Sequence, residues 1–346
     1  MGTSKKMLFA QCDRTFVAAE ISANHNQKLE SAEALIRAAA DSGADAVKLQ
    51  TYTADTLTLD CDNECFRIKD TLWAGRTLHD LYQEAHTPWE WHPRLIGLAN
   101  ELGLICFSTP FDATAVDFLE SLNVPCHKVA SFEIVDLPLL RKIASTGKPV
   151  IMSTGMASLA EIDEAVRTLR ENGAPELALL KCTSAYPAPP NEANLLTIPH
   201  LAQTFGCTVG LSDHTLGSAV AVAAVVLGAS VIEKHFTLSR NDAGPDSAFS
   251  MEPEEFKRMV ADIRTAEMAL GKVTYSLTEA EKKSVVFRRS LFVVKDMRAG
   301  EEFTDENVRS IRPGHGMHTR YLSDVIGRKA TVDIPQGTPL DWGLLA

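Results

Sequence analysis

The chain has 346 residues, 45% of them hydrophobic and 23% charged, with a formal net charge of −11. That is the composition of a soluble globular protein with room for one large core and a small second domain. An acidic surface argues against nucleic acid and anionic membranes as partners, and no apolar run approaches the ~18 residues of a membrane span.

The first residues carry two lysines but only a very short apolar stretch, which does not make a secretory signal; the expected location is the cytoplasm. Seven cysteines, an odd number with no Cys-x-x-Cys pair, fit reduced thiols there. Cys182 ends a predicted strand beside Thr183 and Ser184. With no base obviously paired to it, it reads as a buried structural thiol.

In chain order, eight apolar runs read as strands: 16–22, 46–52, 104–109, 126–131, 149–154, 177–184, 208–213 and 230–236. Amphipathic stretches alternate with them at 30–42, 89–102, 112–122, 136–146, 158–172, 194–205, 215–228 and 253–270. Near-continuous apolar strands belong to a sheet covered on both faces, as parallel sheets are. Eight such units predict an α/β fold, a (β/α)8 TIM barrel, which typically takes ~250 residues. A doubly wound open sheet lacks support, because no Gly-x-Gly-x-x-Gly follows the first strand. Residues 53–88 form the longest connection and carry Trp73 and Tyr82; a lid and a packed surface excursion are both open readings.

The barrel is expected over 1–272, a linker over 273–284, and a small β-rich domain over 285–346 with short strands and turns. Within that domain Asp296–Phe303 weakly repeats as Asp333–Leu340. Its charges nearly balance, nine basic against eight acidic, so the acidity lies in the rest of the chain. An anionic substrate would therefore need basic groups concentrated in its site.

All strands of a parallel barrel end on one face. His214 and His235, 21 residues apart, end two adjacent strands. Two imidazoles at one barrel mouth suit an open divalent-metal site, with Mn, Co, Fe or Zn favoured over Ca. Lys48 and Lys128 lie inside apolar strands, where a charge is rare unless paired, and at the mouth they can neutralise phosphate or carboxylate. Thr109, Ser131, Ser153, Thr154, Thr183 and Ser184 end strands and, with Gly155, supply donors of the kind that phosphate sites use. Glu20 and Glu133 are strand-end carboxylates suited to base chemistry or a substrate hydroxyl, or else to pairing with Lys or His. Asp246 follows the eighth strand, where it could hold a sugar hydroxyl. Arg312, in the small domain, reads on its own as an ordinary surface arginine.

The segments Ser-Ala-Asn-His-Asn, Lys-Leu-Gln-Thr-Tyr, Phe-Ser-Thr-Pro-Phe, Lys-Val-Ala-Ser-Phe-Glu, Lys-Cys-Thr-Ser-Ala-Tyr-Pro, Gly-Leu-Ser-Asp-His-Thr and Ile-Glu-Lys-His-Phe resemble the sialic acid synthases. That family joins a (β/α)8 barrel to an antifreeze-like (SAF) domain, which residues 285–346 resemble through Arg-Arg-Ser-Leu and Arg-Pro-Gly-His-Gly. Stretches 48–60 and 81–91 look most like the bacterial pseudaminic acid synthases, with N-acetylneuraminate and legionaminate synthases as the nearest alternatives.

The resemblance implies condensation of phosphoenolpyruvate with an open-chain acetamido sugar. It implies Lys48, Thr109, Lys128, Ser131, Ser153 and Ser184 as phosphoenolpyruvate ligands, and Glu20, Tyr186, Asp246 and Arg312 as sugar contacts. Glu133 would handle the attacking water. His214 and His235 would hold a divalent cation (Mn, Mg or Co), and a domain-swapped homodimer would bring Arg312 from a partner chain. A Schiff-base aldolase using Lys48, Lys128 or Lys181 without metal is the remote alternative. A non-catalytic sugar-binding protein has no need of His, Lys and Glu together.

Overall fold

A computed structural model describes residues 8–9, 14–69, 72–242 and 244–346. The chain divides into two compact units, Met1–Gly271 and Lys272–Ala346. Among the described residues no helix is long and apolar enough to cross a membrane.

In the first unit eight parallel strands close into a barrel. They are β1 (Phe16–Glu20), β2 (Ala46–Thr51), β3 (Ile105–Pro110), β4 (His127–Val129), β5 (Val150–Ser153), β6 (Leu177–Cys182), β7 (Thr208–Asp213) and β8 (Val231–His235). β8 pairs back onto β1, with His235 opposite Glu20. Outside lie α1 (Leu29–Asp41), α2 (His92–Glu101), α3 (Ala113–Ser121), α4 (Leu137–Ser145), α5 (Leu159–Glu171), α6 (Thr197–Phe205), α7 (Ala219–Val226) and α8 (Pro253–Leu270). Caps fix several starts: Asp112 accepts from Thr114 N and Ala115 N, and Ser158 and Glu161 form a capping box.

Side chains alternate across each strand, and this builds two cores. Outward residues such as Val17, Val47, Leu179, Leu211 and Ile232 pack against the helices. Inward residues Phe16, Ala18, Ala46, Phe107, Ile151, Leu180 and Val231 fill the lumen, with Phe9 beside them. Gly210 is the small member of that layer. A Cβ there would fall 2.2 Å from Val231 O and 2.6 Å from Leu180 Cδ2, so only glycine fits. Continuing the same alternation toward the strand ends turns the lumen polar, which is what makes a site.

One strand end needs correction. The fourth strand stops at Val129 rather than 131, because the backbone tightens into a 3-10 turn over Ser131–Glu133. The 53–88 connection holds short helices at Ala54–Leu57 and Leu78–Ala85, started by Thr53 and Thr77 side chains. It packs back on the barrel loops through Gln27, which donates to Glu84 O at 2.9 Å and His86 O at 2.5 Å.

The second unit begins with a helix at Glu279–Ser284, inside the stretch expected as linker. β9 (Ser290–Val293) and β10 (Val308–Ile311) pair antiparallel over a core including Leu291, Phe303, Val325 and Ile334. The weak repeat has a structural meaning. Met297 and Ile334 exchange two backbone hydrogen bonds of 2.8 Å. Asp296 accepts from Gln336 N and Asp333 from Ala299 N, each at 2.7 Å, so the two halves serve each other in the same way.

Candidate active site

The polar layer at the carboxyl end of the barrel centres on two lysines and two carboxylates. Lys48 Nζ lies 2.7 Å from Glu20 Oε2 and 2.8 Å from Glu233 Oε1. Lys128 Nζ lies 3.9 Å from Glu233 Oε2 and donates to Ser153 Oγ at 2.7 Å and Val129 O at 2.9 Å. Burial pulls the Lys48 ammonium down to about 8, with Glu233 opposing it. Burial works against ionised Glu233, but Lys128 and Lys48 outweigh it and hold that carboxyl well below the usual range. Ser212 Oγ adds a 3.3 Å bond to Glu233.

Next to the lysines is a cradle. Gly155 N donates to Ser131 Oγ at 3.0 Å, and a Cβ on Gly155 would fall 2.7 Å from that oxygen and 2.3 Å from Ser184 Oγ. Backbone and two hydroxyls therefore converge where a side chain cannot enter, as in anion-binding concavities. Thr109 Oγ1 is buried with no hydrogen-bond partner among the described residues. A buried hydroxyl without a partner is costly, and a ligand oxygen would satisfy it.

The two imidazoles meet with ring centroids 5.3 Å apart. His214 Nδ1 donates to Thr183 O at 2.9 Å; burial works against the imidazolium, but Cys182 and this carbonyl outweigh it and raise the His214 pKa. His235 Nδ1 is buried without a partner among the described residues, and burial followed by the nearby cations holds its pKa well below the usual value. A neutral, partly unsatisfied imidazole beside a second one fits a divalent cation. Among the described residues no group of three or more His, Cys, Asp or Glu is arranged to hold a metal. Cys182 departs from the expectation that no base pairs with it. Its Sγ lies 3.9 Å from His214 Nδ1, and although burial opposes ionisation, the imidazole helps bring the thiol down to about 6.

Glu133 follows the cradle on the 3-10 turn. Its Oε2 is buried without a hydrogen bond among the described residues, and desolvation raises the carboxyl to about 7, with Lys128 opposing. A carboxyl poised there can exchange a proton near neutrality.

The sugar-side candidates lie together on the histidine side. Tyr186 sits 4.3 Å from the His214 ring and 5.0 Å from Phe249, between centroids. Trp73 of the long excursion approaches Tyr186 at 6.0 Å and donates from Nε1 to Pro245 O at 3.0 Å. Asp246 accepts from Ser22 Oγ, and Gln50 Nε2 reaches both Ser22 Oγ at 3.1 Å and Glu20 Oε1 at 3.2 Å. Burial raises the Asp246 carboxyl. Glu20 is thus Lys48's partner in this state, the plainer of its two readings. Arg312 belongs to the second unit, where it is exposed. Sequence reasoning missed Glu233, Ser212, Gln50 and Ser22. Glu233 carried the signal that singled out the lysines, a charge inside an apolar strand.

Residues 35–275 match the NeuB family and residues 288–346 match the SAF domain. A pseudaminic acid synthase from Helicobacter pylori is 46% identical over 94% of this chain and 96% of its own length. An N,N'-diacetyllegionaminic acid synthase from Campylobacter jejuni is 40% identical over 92% of this chain and 96% of its own. The crystal structure of a Bacillus subtilis spore coat polysaccharide biosynthesis protein superposes with a TM-score of 0.65 at 35% identity, covering 96% of this chain and 95% of that one. The chain belongs to the NeuB family, with a SAF domain following its barrel.

Proposed function

We propose that the chain is a pseudaminic acid synthase. It condenses phosphoenolpyruvate with 2,4-diacetamido-2,4,6-trideoxy-L-altrose and water, giving pseudaminic acid and phosphate in the cytoplasm. One observation carries the chemistry: a lysine–serine–glycine anion cradle and two imidazoles share one end of a closed barrel. The choice of sugar is supported by the 46% identity to the Helicobacter pylori synthase, against 40% for the diacetyllegionaminic acid synthase.

In this scheme Lys128, Ser131, Ser153, Ser184, Thr109 and the Gly155 amide bind the phosphate and carboxylate of phosphoenolpyruvate. Lys48 leaves Glu20 or Glu233 to join them. Glu20, Tyr186 and Asp246 orient the sugar so that its aldehyde carbon meets C3 of the enol. As the C–C bond forms, positive charge develops at C2. Glu133 takes a proton from the water that attacks there. Glu133 passes that proton to the former aldehyde oxygen, which becomes a hydroxyl. The C–O bond to phosphate then breaks as the C2 hydroxyl becomes the ketone; the bond's electron pair and the hydroxyl proton leave with the phosphate, and the lysines neutralise the departing anion. A divalent cation (Mn, Mg or Co) on His214 and His235 would supply Lewis acidity at the aldehyde oxygen. Arg312 completes the sugar contacts from a partner chain in a domain-swapped dimer.

Phosphate release is to be measured with a panel of acetamido sugars, with and without chelator. Fastest release with the diacetamido-trideoxy-altrose, abolished by chelation and restored by Mn, Co or Mg, is the expected result. Higher efficiency with N-acetylmannosamine overturns the sugar assignment. Full turnover after exhaustive chelation, with inactivation by borohydride plus substrate, favours the Schiff-base route instead.

A further inference from the structure

Behind the two histidines, on the outer side of the same strands, a second ion pair is sealed from solvent. Lys234 Nζ lies 2.6 Å from Asp213 Oδ2, and each side chain is 1% exposed. Alternation explains the side: Glu233 points inward to Lys48, whereas Ile232 and Leu211, two residues before each member of the pair, pack against the helices. No step proposed above uses this pair.

Its remaining bonds all hold the chain around His214. Lys234 Nζ donates to Thr215 O, and to Gly217 O at 3.3 Å. Asp213 Oδ1 accepts from Thr215 N at 2.9 Å and Thr215 Oγ1 at 2.8 Å. Asp213 and Lys234 stand opposite each other in the β7–β8 register, so His214 and His235 are the next residue on each strand. The segments before and after His214 are therefore pinned to the residue that precedes His235. Bulk stability does not require an ion pair here, since a packed apolar pair of similar volume often serves as well or better. An apolar pair would, however, leave the Thr215 and Gly217 carbonyls without their donor and the 213–217 segment without its anchor.

The geometry points to Asp213 and Lys234 as positioning residues that set the separation of the two imidazoles and thereby the affinity for a divalent cation. This rests on the assignment of His214 and His235 as the cation's ligands. Loss of outer supports of this kind typically costs about 10–100-fold in metal affinity.

The test uses the full chain and Mn2+ alone, titrated by calorimetry, beside phosphoenolpyruvate titrated without metal. Lys234→Met alone would strand a buried carboxylate, so the main variant is Asp213→Asn/Lys234→Met, which removes both charges. Expected is at least about tenfold weaker Mn2+ binding with phosphoenolpyruvate affinity nearly unchanged. A folded double variant that binds Mn2+ like wild type overturns the inference, as does an equal loss for both ligands, which would mean general disruption. Should the double variant fail to fold, Thr215→Val decides. It deletes only the hydroxyl bond to Asp213, and unaltered Mn2+ affinity there is equally fatal. Wild type that binds no Mn2+ removes the cation assignment and this inference with it, whereas normal wild-type binding with an unaltered variant removes this inference alone.

Discussion

Glu233 Oε1 lies 2.8 Å from Lys48 Nζ across the lumen, in a place where neither side chain is more than 6% exposed. With Glu20 on the other side of Lys48 and Lys128 beyond Glu233, two cations and two anions balance without any ligand. In the proposed scheme an incoming phosphoenolpyruvate must therefore compete with carboxylates for Lys48 and Lys128. Glu233 thereby favours the charged form of buried Lys48 before substrate arrives, at the cost of part of the binding energy.

Glu233→Gln tests this balance. Removing one partner of a buried pair is expected to cost about 3–5 kcal/mol of stability, because Lys48 then keeps only Glu20 and Lys128 loses its carboxylate. Inorganic phosphate can supply the missing negative charge, so it should raise the melting temperature of the variant more than that of wild type. Melting curves with and without phosphate check it; equal shifts for the two proteins would sink the competition argument.

Glu133→Gln should lower turnover by at least ~100-fold, the scale of a lost general base. It should also change the pH dependence of stability, with a definite sign. Burial raises the Glu133 carboxyl from its ordinary 4.5 to about 7, so between those values the folded chain holds more protons than the unfolded one. Stability then falls as pH rises through that window. Glutamine has no proton to lose, so the variant should gain on wild type above the folded pKa and match it below the unfolded one. Melting curves on both sides of the window are the check. A constant gap would mean that Glu133 titrates like an exposed carboxyl.

The barrel was legible because parallel strands buried on both faces leave apolar runs, and the eight runs align with the eight strands. Lys48 and Lys128 stood out as charges within those runs. Glu233 and Lys234 sat in the same kind of run but were overshadowed by His235. Their opposite destinations, Lys48 inside and Asp213 outside, depend on strand register, which no local pattern states. The Cys182–His214 approach joins residues on neighbouring strands and was hidden for the same reason. The end of β4 at Val129 reflects the turn carrying Ser131 and Glu133, where local backbone geometry overrides an apolar run.

Gly155→Ala should fold, since the Gly155 φ is not in the left-handed region, yet it should damage the cradle. The added methyl would sit 2.3 Å from Ser184 Oγ and 2.7 Å from Ser131 Oγ, so both hydroxyls must turn away. Removing donors aimed at an anion typically costs about 100–1,000-fold in rate where they act in the transition state. A loss in kcat/KM for phosphoenolpyruvate with Mn2+ affinity preserved is expected. Wild-type kinetics in a folded variant would show that the anion binds elsewhere.

Arg312 is the proposed sugar contact whose role would depend on assembly. It is exposed in the second unit, on the Arg-Pro-Gly-His-Gly turn, and a guanidinium so placed offers a planar fork of donors to acetamido or hydroxyl oxygens. Arg312→Ala should therefore raise KM for the sugar while leaving phosphoenolpyruvate affinity in place. Whether it serves its own barrel or a partner's can be read from complementation. At a sugar concentration well below the raised KM, Arg312→Ala and Glu133→Gln are each expected to turn over slowly, and they can be mixed under conditions that let subunits exchange. In a dimer with Arg312 acting in trans, one site of each mixed pair collects both defects and the other collects neither, so activity returns. With Arg312 acting in cis, every site keeps one defect and the mixture stays as slow as its parents. Persistent inactivity, once exchange has been verified by mass-tagged subunits, would remove the domain-swapped arrangement.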